Sequence, residues 1–202
     1  MKEILLATNN PHKVEEFKKM LKKAEINLDV KTPKDLGLYN FTVSEDGDSF
    51  FENSRRKAIS YYFETNMPCV ADDSGLVIDS LDGEPGLYSA RYAGEDCNDK
   101  NNIDKVLNNL EDEGFRKASF VADICFYDGK KKTNFHGICD GTITEKEYGE
   151  NGFGYDPIFR PLGYLKTFAE LGSEVKNNIS HRAIAFDKFM TYLKERINNE
   201  TI

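Results

Sequence analysis

Residues 117 to 127, KASFVADICFY, alternate without a break, placing Ala118, Phe120, Ala122, Ile124 and Phe126 on one side. Successive side chains of a strand point to opposite faces, so a period of two predicts a long strand with one face to bury. Asp128-Gly129 follows at once, a pair suited to a tight hairpin turn, and predicts an antiparallel partner near 132–140. Such a hairpin needs a sheet around it. The flanking sequence decides which kind.

On both sides the period changes. Residues 2 to 7, KEILLA, read as a buried strand; Val14, Phe17, Leu21 and Ala24 then recur at helical intervals over 11–24, with Pro11 suited to the first helical position. Ser49-Phe50-Phe51-Glu52 matches a capping box and predicts a helix to about Thr65. CVADD and GLVIDSL read as two short strands around a turn at Ser74 and Gly75, and Phe186, Phe189, Leu193 and Ile197 predict a closing helix from Ser180. Strands interleaved with helices, plus a hairpin, give an α/β fold with a mixed sheet. The 202 residues suit one domain, 1–202, or two lobes sharing a sheet, and bury roughly 70% of the unfolded surface. No repeat or linker marks a boundary.

Composition removes several functions. A hydrophobic fraction of 39% with 14 Phe and 10 Tyr excludes a disordered chain. No apolar stretch approaches the ~20 residues of a membrane span, and the apolar run at the N-terminus is short for a secretory signal, so a cytoplasmic protein away from membranes is expected. A net charge of −8 argues against nucleic acid as the partner; an anionic ligand needs a local basic pocket or a metal. Cys69, Cys97, Cys125 and Cys139 form no C-x-x-C and have no His at ligand spacing, so packed, reduced thiols are expected.

Five stretches carry side chains suited to chemistry. ATNNPHK, 7 to 13, sets Thr8 and Asn10 at a strand exit and Lys13 in the first helical turn, where free N–H groups and the helix dipole favour an anion. An ordinary Asn cap with a solvated Lys is the plain alternative. Asp72 and Asp73 end an apolar run, where two like charges are costly unless a metal or proton site uses them. Asn53 and Lys57 share a helix face, with Glu45 just upstream, and Glu45 with Asp73 offers the one or two carboxylates that Mg²⁺ takes. Adjacent acids on a strand alternate sides, so Asp73 is expected to be available and Asp72 to be held by local hydrogen bonds. GFGYDP, 152 to 157, forces a loop whose Phe153 or Tyr155 can stack on a base, an anchored turn being the plainer reading. Ser180-His181-Arg182 opens the last helix, where basic groups need an acceptor nearby; His12 and His136 read as surface residues.

Taken in order, TNNPHK, SFFENSRRKA, ADDSGL, EPGLYSARYAG, GFGYDPIF and ISHRAIAF resemble the inosine triphosphate pyrophosphatase family from about residue 3 to 190. The resemblance implies an α/β, two-lobed fold with a long central mixed β-sheet flanked by helices, an active-site cleft between lobes, and a homodimer requiring Mg²⁺. It implies hydrolysis of ITP, dITP and XTP to the monophosphate and pyrophosphate. It places Thr8, Asn9, Asn10, Pro11, His12 and Lys13 on the substrate, with Ser74, Phe153, Gly154, Tyr155, Asp156, Lys176, His181 and Arg182. Glu45 and Asp73 would hold the metal, and Asp73, Lys13 and Lys57 would carry catalysis. Some relatives have an acid where this chain has Ser44. A septum-inhibitor-type nucleotide pyrophosphatase and a nucleotide-binding module without catalysis are the alternatives.

Overall fold

The computed structural model describes residues 2–96 and 98–200. Its strands are β1 (Glu3–Leu6), β2 (Asp29–Lys31), β3 (Cys69–Ile78), β4 (Lys117–Tyr127), β5 (Lys132–Ile143) and β6 (Phe159–Pro161). Its helices are α1 (Pro11–Lys23), α2 (Phe50–Thr65), α3 (Asp99–Asn109), α4 (Phe168–Ile179) and α5 (His181–Glu200), with 3₁₀ turns at Asp79–Leu81 and Gly86–Arg91. The strands make one six-stranded sheet in the order β2-β1-β3-β4-β5-β6. β1 runs parallel to both β2 and β3, β5 antiparallel to β6, so the sheet is mixed. β4 and β5 are neighbours joined only by residues 128–131, a link too short for a parallel crossover.

The hairpin and helices α1, α2 and α5 lie where the periodicity puts them, but β3 is one strand of ten residues, not two around a turn. Ser74 and Gly75 continue it, and the Leu76 N–H finds the Ser89 hydroxyl at 2.9 Å, so no turn is needed to satisfy the backbone. The capping box at Ser49 is half made. Ser49 accepts from the Glu52 N–H, while the Glu52 carboxylate takes the Asp48 N–H instead. A complete box stands at Thr167 and Glu170, at the start of α4.

The chain divides into two compact units. One holds residues 1–73, 123–136 and 184–202; the other holds 74–122 and 137–183. The first unit packs Leu5, Ala7, Ala58, Tyr61, Cys69, Ala71 and Cys125 together. Phe17 of α1 stacks with Phe186 and Phe189 of α5, whose centroids lie at 5.1 and 6.3 Å. The second unit centres on Leu76, Ile78, Val106, Leu110, Phe120, Tyr155, Phe159 and Phe168. Cys69, Cys125 and Cys139 are free and buried, and burial pushes all three thiols up; Cys97 lies outside the described residues. No described helix is long and apolar enough to cross a membrane. Of the aromatic run on α2, Tyr61 is core and Tyr62 packs edge-on to Tyr127, leaving Phe63 exposed.

Candidate active site

Two sets of polar side chains stand out, one in each unit. In the first, β1 exits through Thr8 into α1. Asn10 caps that helix: its side-chain oxygen accepts from the His12 and Lys13 N–H groups at 2.9 and 3.4 Å, and its own N–H donates to the Thr8 hydroxyl. The first-turn donors are therefore not free, contrary to the expectation from the motif, because an Asn cap satisfies them internally. Asn9 is turned to the neighbouring segment, accepting the Lys34 N–H at 3.2 Å, and Pro11 and His12 are exposed. Lys13 is not merely solvated. Its ammonium lies 2.9 Å from Asp72.

That ion pair corrects the expectation for Asp72. Its side chain is buried and paired with a lysine from α1, a long-range partner beyond the local hydrogen bonds expected. Lys57 of α2 makes an ion pair with Glu45 and donates to the Asp72 carbonyl at 3.1 Å. Burial opposes the Lys57 charge, but Glu45, Asp72 and Asp73 outweigh it and hold the ammonium above the usual lysine range. Asp73 is pushed up to about 6, first by desolvation and then by Glu45 and Asp72, against the pull of Lys57 and a hydrogen bond from Asn53. Asn53 is the residue that motif reading undervalued. It is buried at 2% exposure, donates to Asp73 Oδ2 at 3.0 Å and accepts the Gly47 N–H at 2.8 Å.

The second unit gathers Ser74, Phe153–Asp156, Lys176, His181 and Arg182. Asp156, almost wholly buried, accepts the Phe153 N–H at 3.0 Å and pairs with Lys176 at 2.6 Å. Burial pushes its carboxyl up, against the attraction of Lys176. A Cβ on Gly152 would meet Asp156 Oδ2 at 2.2 Å, and the Gly152 φ of +86° already suits only glycine, so the loop closes on that carboxylate. The Gly154 N–H donates to Asp99 at the start of α3, a partner that no motif marked. Of the two rings, Tyr155 is core, its hydroxyl donating to the Ser89 carbonyl, whereas Phe153 is half-buried beneath Lys176 and Arg182 at 4.0 and 5.6 Å. His181 stacks on Phe120 at 4.8 Å, and Arg182 donates to the Ser74 hydroxyl at 3.1 Å. Both are buried, and the Asp156 carboxylate attracts Arg182, supplying the acceptor that a basic group at a positive helix end needs.

Among the described residues no three His, Cys, Asp or Glu side chains form a metal cluster. Glu45 and Asp73 nonetheless fit Mg²⁺. Both are hard oxygen donors near the Lys57 ammonium, which pairs with Glu45 and attracts Asp73, and this ion takes few protein ligands, completing its shell with water and substrate phosphate.

Carboxylates restrained by lysines in one unit, and an aromatic ring under two cations in the other, are the equipment of an α/β enzyme that handles a nucleotide and its phosphates. The chain belongs to the Ham1 family, whose model matches residues 4–192. It is 44% identical over 196 residues to the dITP/XTP pyrophosphatase of Oceanobacillus iheyensis, covering 96% of this chain and 98% of that protein. A Clostridium tetani protein of the same name is 41% identical over 204 residues, covering 99% and 100%. Among solved structures, the Staphylococcus aureus Ham1 protein superposes with a TM-score of 0.87 at 40% identity, covering 96% of this chain and 100% of that one.

Proposed function

We propose that this chain hydrolyses deaminated purine nucleoside triphosphates, ITP, dITP and XTP, to the monophosphate and pyrophosphate, with Mg²⁺. The observation that carries the chemistry is Asp73, restrained by Asn53 and Lys57 and kept close to neutral pH in its titration. dITP and XTP follow from the relatives named dITP/XTP pyrophosphatases, and ITP from the family resemblance of the motifs. Glu45 and Asp73 would hold Mg²⁺, whose charge would offset that of the phosphates.

Asp73 takes a proton from the attacking water as its oxygen bonds to the α-phosphorus and the α–β bridging P–O bond breaks. The electron pair leaves with pyrophosphate, whose charge Lys13 and Lys57 stabilise. No covalent intermediate is required. The Lys13 ammonium, with the Thr8 hydroxyl and the Asn10 side-chain NH₂, holds the phosphate chain, while Ser74, Phe153–Asp156, Lys176, His181 and Arg182 take the nucleoside. Phe153 offers its face to the base. Donors from His181, Arg182 or the loop amides match a 6-carbonyl and oppose the 6-amino group of adenine, a buried mismatch that rejects by ~10⁴-fold. The enzyme works as a homodimer in the cytoplasm.

A panel of ITP, dITP, XTP, ATP, GTP, dATP, dGTP and CTP, with and without Mg²⁺, tests this reading by pyrophosphate yield. Release from the first three only, abolished by chelation, is expected. Equal turnover of all purine triphosphates contradicts it.

A further inference from the structure

Helix α2 grips the same two chain segments twice. Lys57 joins Glu45 to the Asp72 carbonyl, and one turn earlier Asn53 joins Gly47 to Asp73. Four residues apart, these side chains leave one face of the helix, so α2 acts as a rigid bar between residues 45–47 and the acids of β3. The two grips differ in kind. Lys57 is a charge that any incoming cation must compete with at Glu45. Asn53 is neutral and uses both ends of its amide, donating to one carboxylate oxygen of Asp73 and accepting a backbone N–H from the loop that carries Glu45.

We propose that Asn53 is a positioning residue for metal binding: its amide fixes the Glu45 loop against Asp73, so that the two carboxylates are spaced before a cation arrives. This rests on Glu45 and Asp73 being the metal ligands. Three features favour it over a packing role. The side chain is 2% exposed, and its amide hydrogen-bonds to both segments at once. Its donor meets one oxygen of a carboxylate in the proposed metal pair at 3.0 Å. Gly47 leaves the needed room, since a Cβ at that position would stand 2.6 Å from Asn53 Oδ1.

The test is Mn²⁺ binding to the full chain without nucleotide, read by the loss of the free-ion electron paramagnetic resonance signal. Removing a partner that orients a metal ligand costs about 10–100-fold in metal affinity, and that loss is expected for Asn53→Leu. In turnover, the Mg²⁺ concentration for half-maximal rate should rise by a similar factor, while KM for ITP at saturating Mg²⁺ stays within about twofold, a split that general destabilisation does not produce. Gly47→Ala provides a second variant that deletes no functional group. It should weaken Mn²⁺ binding in the same direction, so the proposal stays testable if Asn53→Leu does not fold. Unchanged Mn²⁺ affinity in a folded Asn53→Leu or Gly47→Ala protein overturns the inference, as does a wild-type chain that binds no Mn²⁺. If the variants lose Mn²⁺ but the wild type releases no pyrophosphate from ITP, the positioning role stands and the proposed reaction fails.

Discussion

Asp73→Asn is expected to lower kcat for pyrophosphate release by about 10³-fold, the scale of losing a positioned base, and more if a metal ligand is lost with it. The same change should make the metal-free protein more stable at pH 7.5. In the folded chain the Asp73 carboxyl is pushed from 3.8 up to about 6, so folding favours its neutral form. That preference contributes fully below about pH 3.8 and is gone once the pH has risen through about 6, above which burial of the charged group is a cost. Asn is neutral throughout and still accepts the Asn53 amide. A gain of about 1–3 kcal/mol at pH 7.5, shrinking toward zero near pH 4, is expected in urea titrations with chelator present. A protein that is inactive but not stabilised would mean that Asp73 is not under the electrostatic load described here.

Lys176→Met should have the largest effect on stability. It leaves Asp156, 1% exposed, without the ammonium that stands 2.6 Å away. Breaking a buried pair from one side costs about 3–5 kcal/mol; the remaining charge keeps the Phe153 N–H and the attraction of Arg182 but loses its ion-pair partner. Asp156 can relieve this by taking a proton, and its carboxyl is already pushed up by burial. A group with a raised folded-state pKa loses its contribution as pH rises through that value, so the penalty should be greater at pH 8 than at pH 5. Adding Asp156→Asn should recover most of it. A Lys176→Met protein with the stability of wild type at both pH values would show that the pair is not what holds the 152–157 loop.

The two clusters were legible in the sequence to different depths. The hairpin, α1 and α5 were legible through the spacing of their apolar residues, which survives folding because it reports which face is buried, and α2 through the cap signal at Ser49. β3 was misread because two acids, a serine and a glycine look like a turn; their place inside a strand depends on Lys13, Lys57 and Ser89, which lie up to sixty residues away and leave no local trace. α3, mostly polar with only Asn102, Ile103 and Val106 buried, and α4, interrupted at Gly172, were not read as helices. β2 and β6 are three residues each, too short to register. The charged groups announced themselves by residue type and order. Asn53 stood out only for sharing a helix face with Lys57, since an amide gains its meaning from the loop and strand it joins.

Attack of water at the α-phosphorus, aided by Asp73, is tested most directly by turnover of ITP in ¹⁸O-labelled water, with both products analysed by mass. The label is predicted in the nucleoside monophosphate, with pyrophosphate unlabelled and no orthophosphate formed first. Label in the pyrophosphate, or orthophosphate as the initial product, would contradict it.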